Sequence, residues 1–531
     1  MENPDNQKPC VVQTPQGFSI SYKEHLLYSK YNPSKAIVQT VQNLQLLPGS
    51  IILCNSPVLT YGLKELSEKL PDNCIIVLCE AEKTLYDYEK TNLDTSFLEK
   101  LLFPEPENLK NLPLKLYDLC KTGNYKRVIS INFSAGIQFH EDFYKSLSQA
   151  CTNSVMTFWK NRITLTKFGR RYSQNLFSNL KNLQESLPVR NYFHAITKPI
   201  LVFGAGQSLD LFIKNTNLNY KNFFVLCVDT ALKPLLKHGI KPDGVFLEEA
   251  QSIITKSFIT NLKDIHFFAG LSSTRHLSHI TKVSNISYFM TEYTQGNFTD
   301  KLYKEIPQLE KNPPFGSVGL TAVYYALKFR KDDSIPVYTT GLDFSFSAGP
   351  THAKESMAHL QRLIQTNRLK AIDNLSAAFA PANRKFTDKS GNQFFTSPNL
   401  ASYAELFNQY FCNEKNLFDS SLCGIPLNIA KKLPQKGFSQ NIEIPNKAFS
   451  DIEKEKIKEY LNKEKEELIK LSDILKGKTR IEVEKLEEEI TKLISDKEYL
   501  YLHFADGSRF NYNQSFLNRI STEISFFLKW L

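Results

Sequence analysis

The stretch that most constrains this chain is Ile200-Leu201-Val202-Phe203 running directly into Gly204-Ala205-Gly206-Gln207-Ser208-Leu209-Asp210. A short apolar run closed by glycines reads as a strand buried on both faces, and such strands belong to parallel sheets covered by helices. A Gly-x-Gly turn that opens a helix lies where open α/β sheets place their ligands, outside the carboxyl ends of the strands. There Gly204 and Gly206 let backbone amides approach a phosphate, Ser208 offers a hydroxyl donor, and the helix dipole favours an anion. The same glycines serve a tight strand-to-helix turn that holds no ligand at all.

The α/β rhythm extends both ways. Ile51 to Cys54 breaks at Asn55-Ser56-Pro57, a helical pattern follows on Leu63, Leu66 and Leu70, and Cys74 to Cys79 and Arg127 to Ile131 supply two further strands. Residues 153–187 read as a helical connector. After residue 200 the next run, Phe223 to Val228, closes on Asp229-Thr230, and strands are expected at Gly244 to Leu247, Ile265 to Phe268, Ile286 to Phe289 and Val337 to Thr340, with a helix over 317–329. Strands alternating with helices predict mainly parallel sheets. From Asp451 the composition turns to Glu, Lys, Leu and Ile, with a heptad-like stripe on Ile457, Leu461, Leu468, Leu471 and Leu475. Gly477 interrupts it, Ile481, Leu486, Ile490 and Leu493 resume it, and Phe516, Ile520, Ile524 and Leu528 mark a third segment. Such a stripe is either core packing or partner contact. The expected fold class is α/β, with two Rossmann-like doubly wound domains and a C-terminal α-helical domain. The expected boundaries are 1–190, 191–440 and 441–531, in line with one domain per ~100 to 200 residues.

The formal charge of +10 on 531 residues is too dilute for a nucleic-acid face. It fits either a mild pull on an anionic substrate or a Lys- and Asn-rich composition without functional meaning. The nine cysteines include no CxxC pair and read as buried thiols of a reducing compartment. No stretch approaches the ~18 uncharged apolar residues of a membrane span, and the polar start carries no signal region. A cytoplasmic location is expected, with no membrane or nucleic-acid partner.

Further chemistry-bearing residues cluster after residue 200. Asp229 ends a strand, where it can meet a ribose hydroxyl or, with Thr230, cap the following helix. Asp343 ends another strand, and His352 sits on the Gly/Pro-containing loop beyond it. An acid and a histidine so placed suit a substrate-binding carboxylate and a general base, although His352 alone is only a loop histidine. No cluster of His, Cys or carboxylates has metal-ligand spacing.

Several ordered stretches resemble the motility-associated factor flagellin glycosyltransferases. They are ILVFGAGQSLD at 200–210, CVDTALKPLLKHGIKPD at 227–243, GSVGLTAVYYA at 316–326 and TGLDFSFSAGPTHAK at 340–354, and the likeness extends to 25–36, 167–183 and 386–407. The resemblance implies a central domain similar to bacterial sialyltransferases. It implies transfer of a pseudaminic- or legionaminic-type nonulosonic acid from a CMP-sugar to Ser or Thr of flagellin, with no metal and no separate cofactor. Carried over by motif, Gly204, Gly206, Ser208 and Asp229 with Thr230 would hold the nucleotide. Gly316 and Ser317 would line the cleft, Asp343 would sit beside the sugar, and His352 would be the base.

Three departures from that family's pattern stand out. Glu249 takes the place of the acid in an Asp-Pro strand end, Gln207 stands where Pro is common, and Asn55-Ser56-Pro57 replaces a glycine-rich turn, which argues against a nucleotide there. The central domain also resembles archaeal hydroxymethylpterin pyrophosphokinases, which would make the chain an ATP-dependent enzyme. A non-catalytic flagellin-binding protein is the other alternative.

Overall fold

The computed structural model describes residues 8–531 except 97–99, 124, 259–261, 263–264, 294–295, 370–371, 389, 436, 438–443 and 480–481. The chain divides into two compact units, one of residues 1–167 with 501–510, the other of 168–500 with 511–531.

The first unit opens with a small antiparallel sheet that the apolar pattern does not announce: β1 (Cys10–Thr14), β2 (Gly17–Tyr22) and β3 (His25–Leu26). Its alternation is weak because one face is largely solvent-exposed. A four-stranded parallel sheet follows, built from β4 (Ser50–Asn55), β5 (Ile75–Cys79), β6 (Leu101–Leu102) and β7 (Arg127–Asn132) in the order β6-β5-β4-β7. β4 and β5 are buried along their whole length, which explains why they are uniformly apolar rather than alternating. The expected connector is a 43-residue helix, Glu141–Leu183.

The second unit holds a nine-stranded sheet: β8 (Ile200–Phe203), β9 (Phe224–Val228), β10 (Gly244–Leu247), β11 (His266–Gly270), β12 (Ile286–Thr291), β13 (Lys311–Asn312), β14 (Val337–Thr340), then β17 (Leu417–Asp419) and β18 (Ala430–Lys431) after a small hairpin of β15 (Arg384–Thr387) and β16 (Gln393–Thr396). Its order is β13-β12-β11-β10-β9-β8-β14-β17-β18, and each neighbouring pair of strands in it runs parallel. The chain starts at β8, winds outward through β9 to β13, and returns by the helix Val318–Phe329 to add β14 on the other side of β8. Strand order therefore reverses between β8 and β14, and at such a switch point the connections leave their carboxyl ends on opposite faces, opening a crevice. The returning helix is apolar nearly all round, with Leu320, Ala322, Val323, Tyr325, Ala326 and Phe329 fully buried. It packs on the sheet through a stack in which the Phe246 ring lies 4.8 Å from Phe268 and 5.6 Å from Tyr325.

The C-terminal helices Asp451–Leu475, Val483–Ile494 and Gln514–Phe527 pack within this second unit. The first begins with a capping box in which Ser450 and Glu453 satisfy each other's backbone amides. Ile457, Leu468, Leu471, Ile520 and Ile524 are all at 0% exposure, so the stripe is interior packing; Ile481 lies outside the described residues. Among the cysteines Cys54, Cys74, Cys79, Cys120, Cys151, Cys227 and Cys423 are buried thiols as expected, whereas Cys10 and Cys412 are exposed. Among the described residues no helix is long and apolar enough to cross a membrane.

Candidate functional site

At the switch point the ends of β8 and β14 are drawn together by glycine. Gly204 donates to Thr340 O (2.7 Å) and Gly206 to Gly341 O (2.8 Å). A Cβ on Gly204 would collide with the Gly341 carbonyl, and one on Gly341 with the Gly204 carbonyl. Gly341 also has φ +76°, a left-handed conformation that side chains resist. The two glycine amides expected to face a phosphate are thus spent inside the fold.

Ser208 and Asp343 complete this clasp. Ser208 N donates to Asp343 Oδ2 at 2.8 Å, the Ser208 hydroxyl donates to Asp343 Oδ1, and Gly341 N donates to Ser208 Oγ at 2.9 Å. The anion at the amino end of the helix Ser208–Asn215 is therefore the protein's own carboxylate. A Cβ on Gly206 would strike that carboxylate, which gives the second glycine its steric reason. Ser208 is fully buried and its hydroxyl is committed to the clasp, so the structure gives it a fold-holding contact in place of an open donor.

Above the clasp lies a cavity of about 700 Å³. Gly204, Gly206, Thr230, Ser317, Asp343 and His352 all line it, so these candidates from four separate segments converge. Asp229 sits just behind Thr230, accepting from the Thr230 amide and, at 2.8 Å, from its hydroxyl. Burial and the neighbouring charges of Glu249 and Glu248 push its carboxyl up to about 6 despite those hydrogen bonds. Glu249 is not among the lining residues; its carboxylate accepts from Gln251 N at 2.8 Å. Its neighbour Glu248 turns inward to accept from Thr291 (2.6 Å) and Thr321 (2.8 Å). Gly316 abuts the Tyr403 ring, and Tyr403 lines the cavity.

His352 is held in place by its flanks. Ala353 N donates to Ala205 O at 2.8 Å and Lys354 N to Asp210 Oδ2 at 2.9 Å. Gln207, the departure from the usual proline, reaches across with Nε2 to Ser347 Oγ (2.8 Å) and to the Pro350 carbonyl. His352 Nδ1 lies 3.0 Å from Thr351 Oγ1. Burial, with the Arg362 charge as a second cause, lowers the imidazole below its ordinary value, so it is neutral at pH 7 and able to accept a proton.

Sequence reasoning missed the outer wall. Gln361 and Arg362 on the helix Met357–Ile364, with Gln365, Asn374 and Ser345, line the same cavity. Ser345 falls within the stretch 340–354 already singled out, whereas no strand end or glycine turn marks Gln361, Arg362, Gln365 or Asn374. Facing them, the helix Val318–Phe329 brings Ser317, Val318 and Gly319 to the cavity, with no acidic residue in its first turn. Among the described residues no group of three or more His, Cys, Asp or Glu is placed to hold a metal ion.

Across 98% of its length this chain shares its fold with the MAf glycosyltransferase from Magnetospirillum magneticum AMB-1, covering 91% of that structure at a TM-score of 0.53 and 12% identity. Residues 171–349 match the family described as 6-hydroxymethylpterin diphosphokinase MptE-like. The molecule is thus an α/β protein of the MAf glycosyltransferase fold with an MptE-like central domain, as both resemblances drawn from the sequence led one to expect. An uncharacterised protein of Treponema pallidum (strain Nichols) is 30% identical over 566 aligned positions, spanning 98% of this chain and 95% of its own length. This chain belongs to the family of that Treponema protein.

Proposed function

We propose that the chain is a glycosyltransferase that moves a nonulosonic acid of the pseudaminic or legionaminic type from a CMP-sugar to Ser or Thr of flagellin. The observation that carries the reading is the convergence of Gly204, Gly206, Thr230, Ser317, Asp343 and His352 on one cavity at the switch point, in a chain with the MAf glycosyltransferase fold. The uncapped first turn of Val318–Phe329 suits the donor's phosphate, and Thr230, backed by Asp229, is at hand for the ribose. In the transfer step the acceptor hydroxyl oxygen bonds to the anomeric carbon as that carbon's bond to the phosphate oxygen breaks. CMP leaves with the electron pair and His352 takes the hydroxyl proton. Asp343 contributes by holding the cleft floor in shape rather than by offering a free carboxylate.

The match of residues 171–349 to the MptE-like family favours a second reading, an ATP-dependent hydroxymethylpterin diphosphokinase. Calorimetry on the purified chain separates the two. Selective CMP binding supports the transferase, and selective ATP binding supports the kinase. Mass measurement of flagellin from a deletion strain tests the acceptor, since only the transferase reading requires loss of a nonulosonate-sized adduct.

A further inference from the structure

The outer wall of the cavity carries two buried polar groups that the protein leaves without partners. Ser345 is 6% exposed and Asn374 5% exposed, both line the cavity, and neither Ser345 Oγ nor Asn374 Nδ2 has a hydrogen-bond partner. Buried donors are nearly always satisfied, so two unpartnered donors on residues that line one cavity point to a ligand that satisfies them. The other end of the Asn374 amide is occupied: its Oδ1 accepts from Arg362 Nη2 at 2.9 Å, and Arg362 Nη1 reaches the Asp373 carbonyl at 3.4 Å. Both of these acceptors are uncharged, so they aim the guanidinium without neutralising it. Asp343, an acid lining the same cavity, accepts both the amide and the hydroxyl of Ser208.

We propose that Ser345, Arg362 and Asn374 form a carboxylate-recognition subsite that selects an acidic sugar over a neutral one. This deepens the transferase reading and rests on it. The guanidinium matches a carboxylate's planar geometry, while Asn374 Nδ2 and Ser345 Oγ supply additional donors to its remaining lone pairs. Arg362 is a specificity residue here, Asn374 its brace as well as a donor, and Ser345 a donor whose loss leaves the empty protein intact.

The test is calorimetry with three probes, CMP, CMP-N-acetylneuraminic acid and the carboxyl methyl ester of that donor. The wild-type chain should prefer the acid over the ester by roughly 10- to 100-fold, the worth of a charge-assisted pair. Arg362→Gln should erase that preference while leaving CMP affinity within about twofold, and Ser345→Ala, which removes only a partnerless hydroxyl, should reduce it severalfold. Equal binding of acid and ester by the wild-type chain overturns the subsite, as does an undiminished preference in both variants. An Arg362→Gln loss that falls equally on CMP alone also overturns it, because the guanidinium would then serve the phosphate. Failure of the wild-type chain to bind CMP or the donor at all sinks the transferase reading itself, a distinct result.

Discussion

Removal of the Asp343 carboxylate tests whether the floor of the cleft is built as described. Asp343→Ala would strand two buried donors, the Ser208 amide and the Ser208 hydroxyl, at about 1–3 kcal/mol each. It would also strip the negative charge from the amino end of the helix Ser208–Asn215, worth roughly 0.3–1 kcal/mol. The sum is roughly 2–7 kcal/mol, a large share of the ~5–15 kcal/mol that holds a typical protein together. Asp343→Asn retains one oxygen for the Ser208 amide and should cost only about 1–2 kcal/mol, and Ser208→Ala should show strong coupling to either change. Hydrogen exchange read by mass spectrometry on a peptide spanning residues 204–215 gives the local answer, because opening of the turn frees the Gly204, Gly206 and Ser208 amides together. If Asp343→Ala exchanges like wild type and unfolds within about 0.5 kcal/mol of it, yet loses transfer, then the carboxylate works on the ligand and does not hold the turn.

Three other outcomes follow from the same geometry. Asp229, raised to about 6 by burial, contributes stability that is complete below the ordinary carboxylate range and lost as pH rises through 6. Asp229→Asn should therefore leave the urea midpoint unchanged near pH 4 and gain about 2 kcal/mol at pH 8. Lys497 is fully buried and contacts Glu467 at 2.6 Å and Asp496 at 2.8 Å, so Lys497→Met should destabilise the second unit by roughly 1–3 kcal/mol in thermal melts, leaving Glu464, Glu467 and Asp496 to Lys301 alone. His352→Ala should slow flagellin modification ~100- to 10,000-fold with CMP affinity unchanged; in the wild-type rate profile the acidic limb should fall below pH 6.5, and Arg362→Gln should move it upward by removing a charge that lowers the imidazole.

Much of the frame was legible because the central strands are buried on both faces and so read as continuous apolar runs. β8, β10 and β14 fall on the residues expected, and β9, β11 and β12 within two residues of them. The antiparallel strands β1 to β3 and β15 escaped because their exposed residues dilute any apolar pattern. The short edge strands β13 and β18, two residues each, owe their pairing to the neighbouring strand rather than to their own sequence.

The candidate site divides along the same physical line. Residues anchored to strand ends, such as Gly204, Asp229 and Asp343, can be found from sequence because a parallel sheet brings every carboxyl end to one rim. What Gly204 and Asp343 do there cannot be read the same way, since it depends on partners more than a hundred positions distant. Ser208 and Asp343 are 135 residues apart, and only their contact reveals that the helix end is already neutralised by the chain itself. It follows that an incoming anion must be met elsewhere, and among the described residues lining the cavity the electropositive groups left for it are Arg362 and the first turn of Val318–Phe329. The glycine loop that suggests a phosphate site from sequence thus shapes the cleft, and in the proposed subsite charge recognition would fall to Arg362, which no motif advertises.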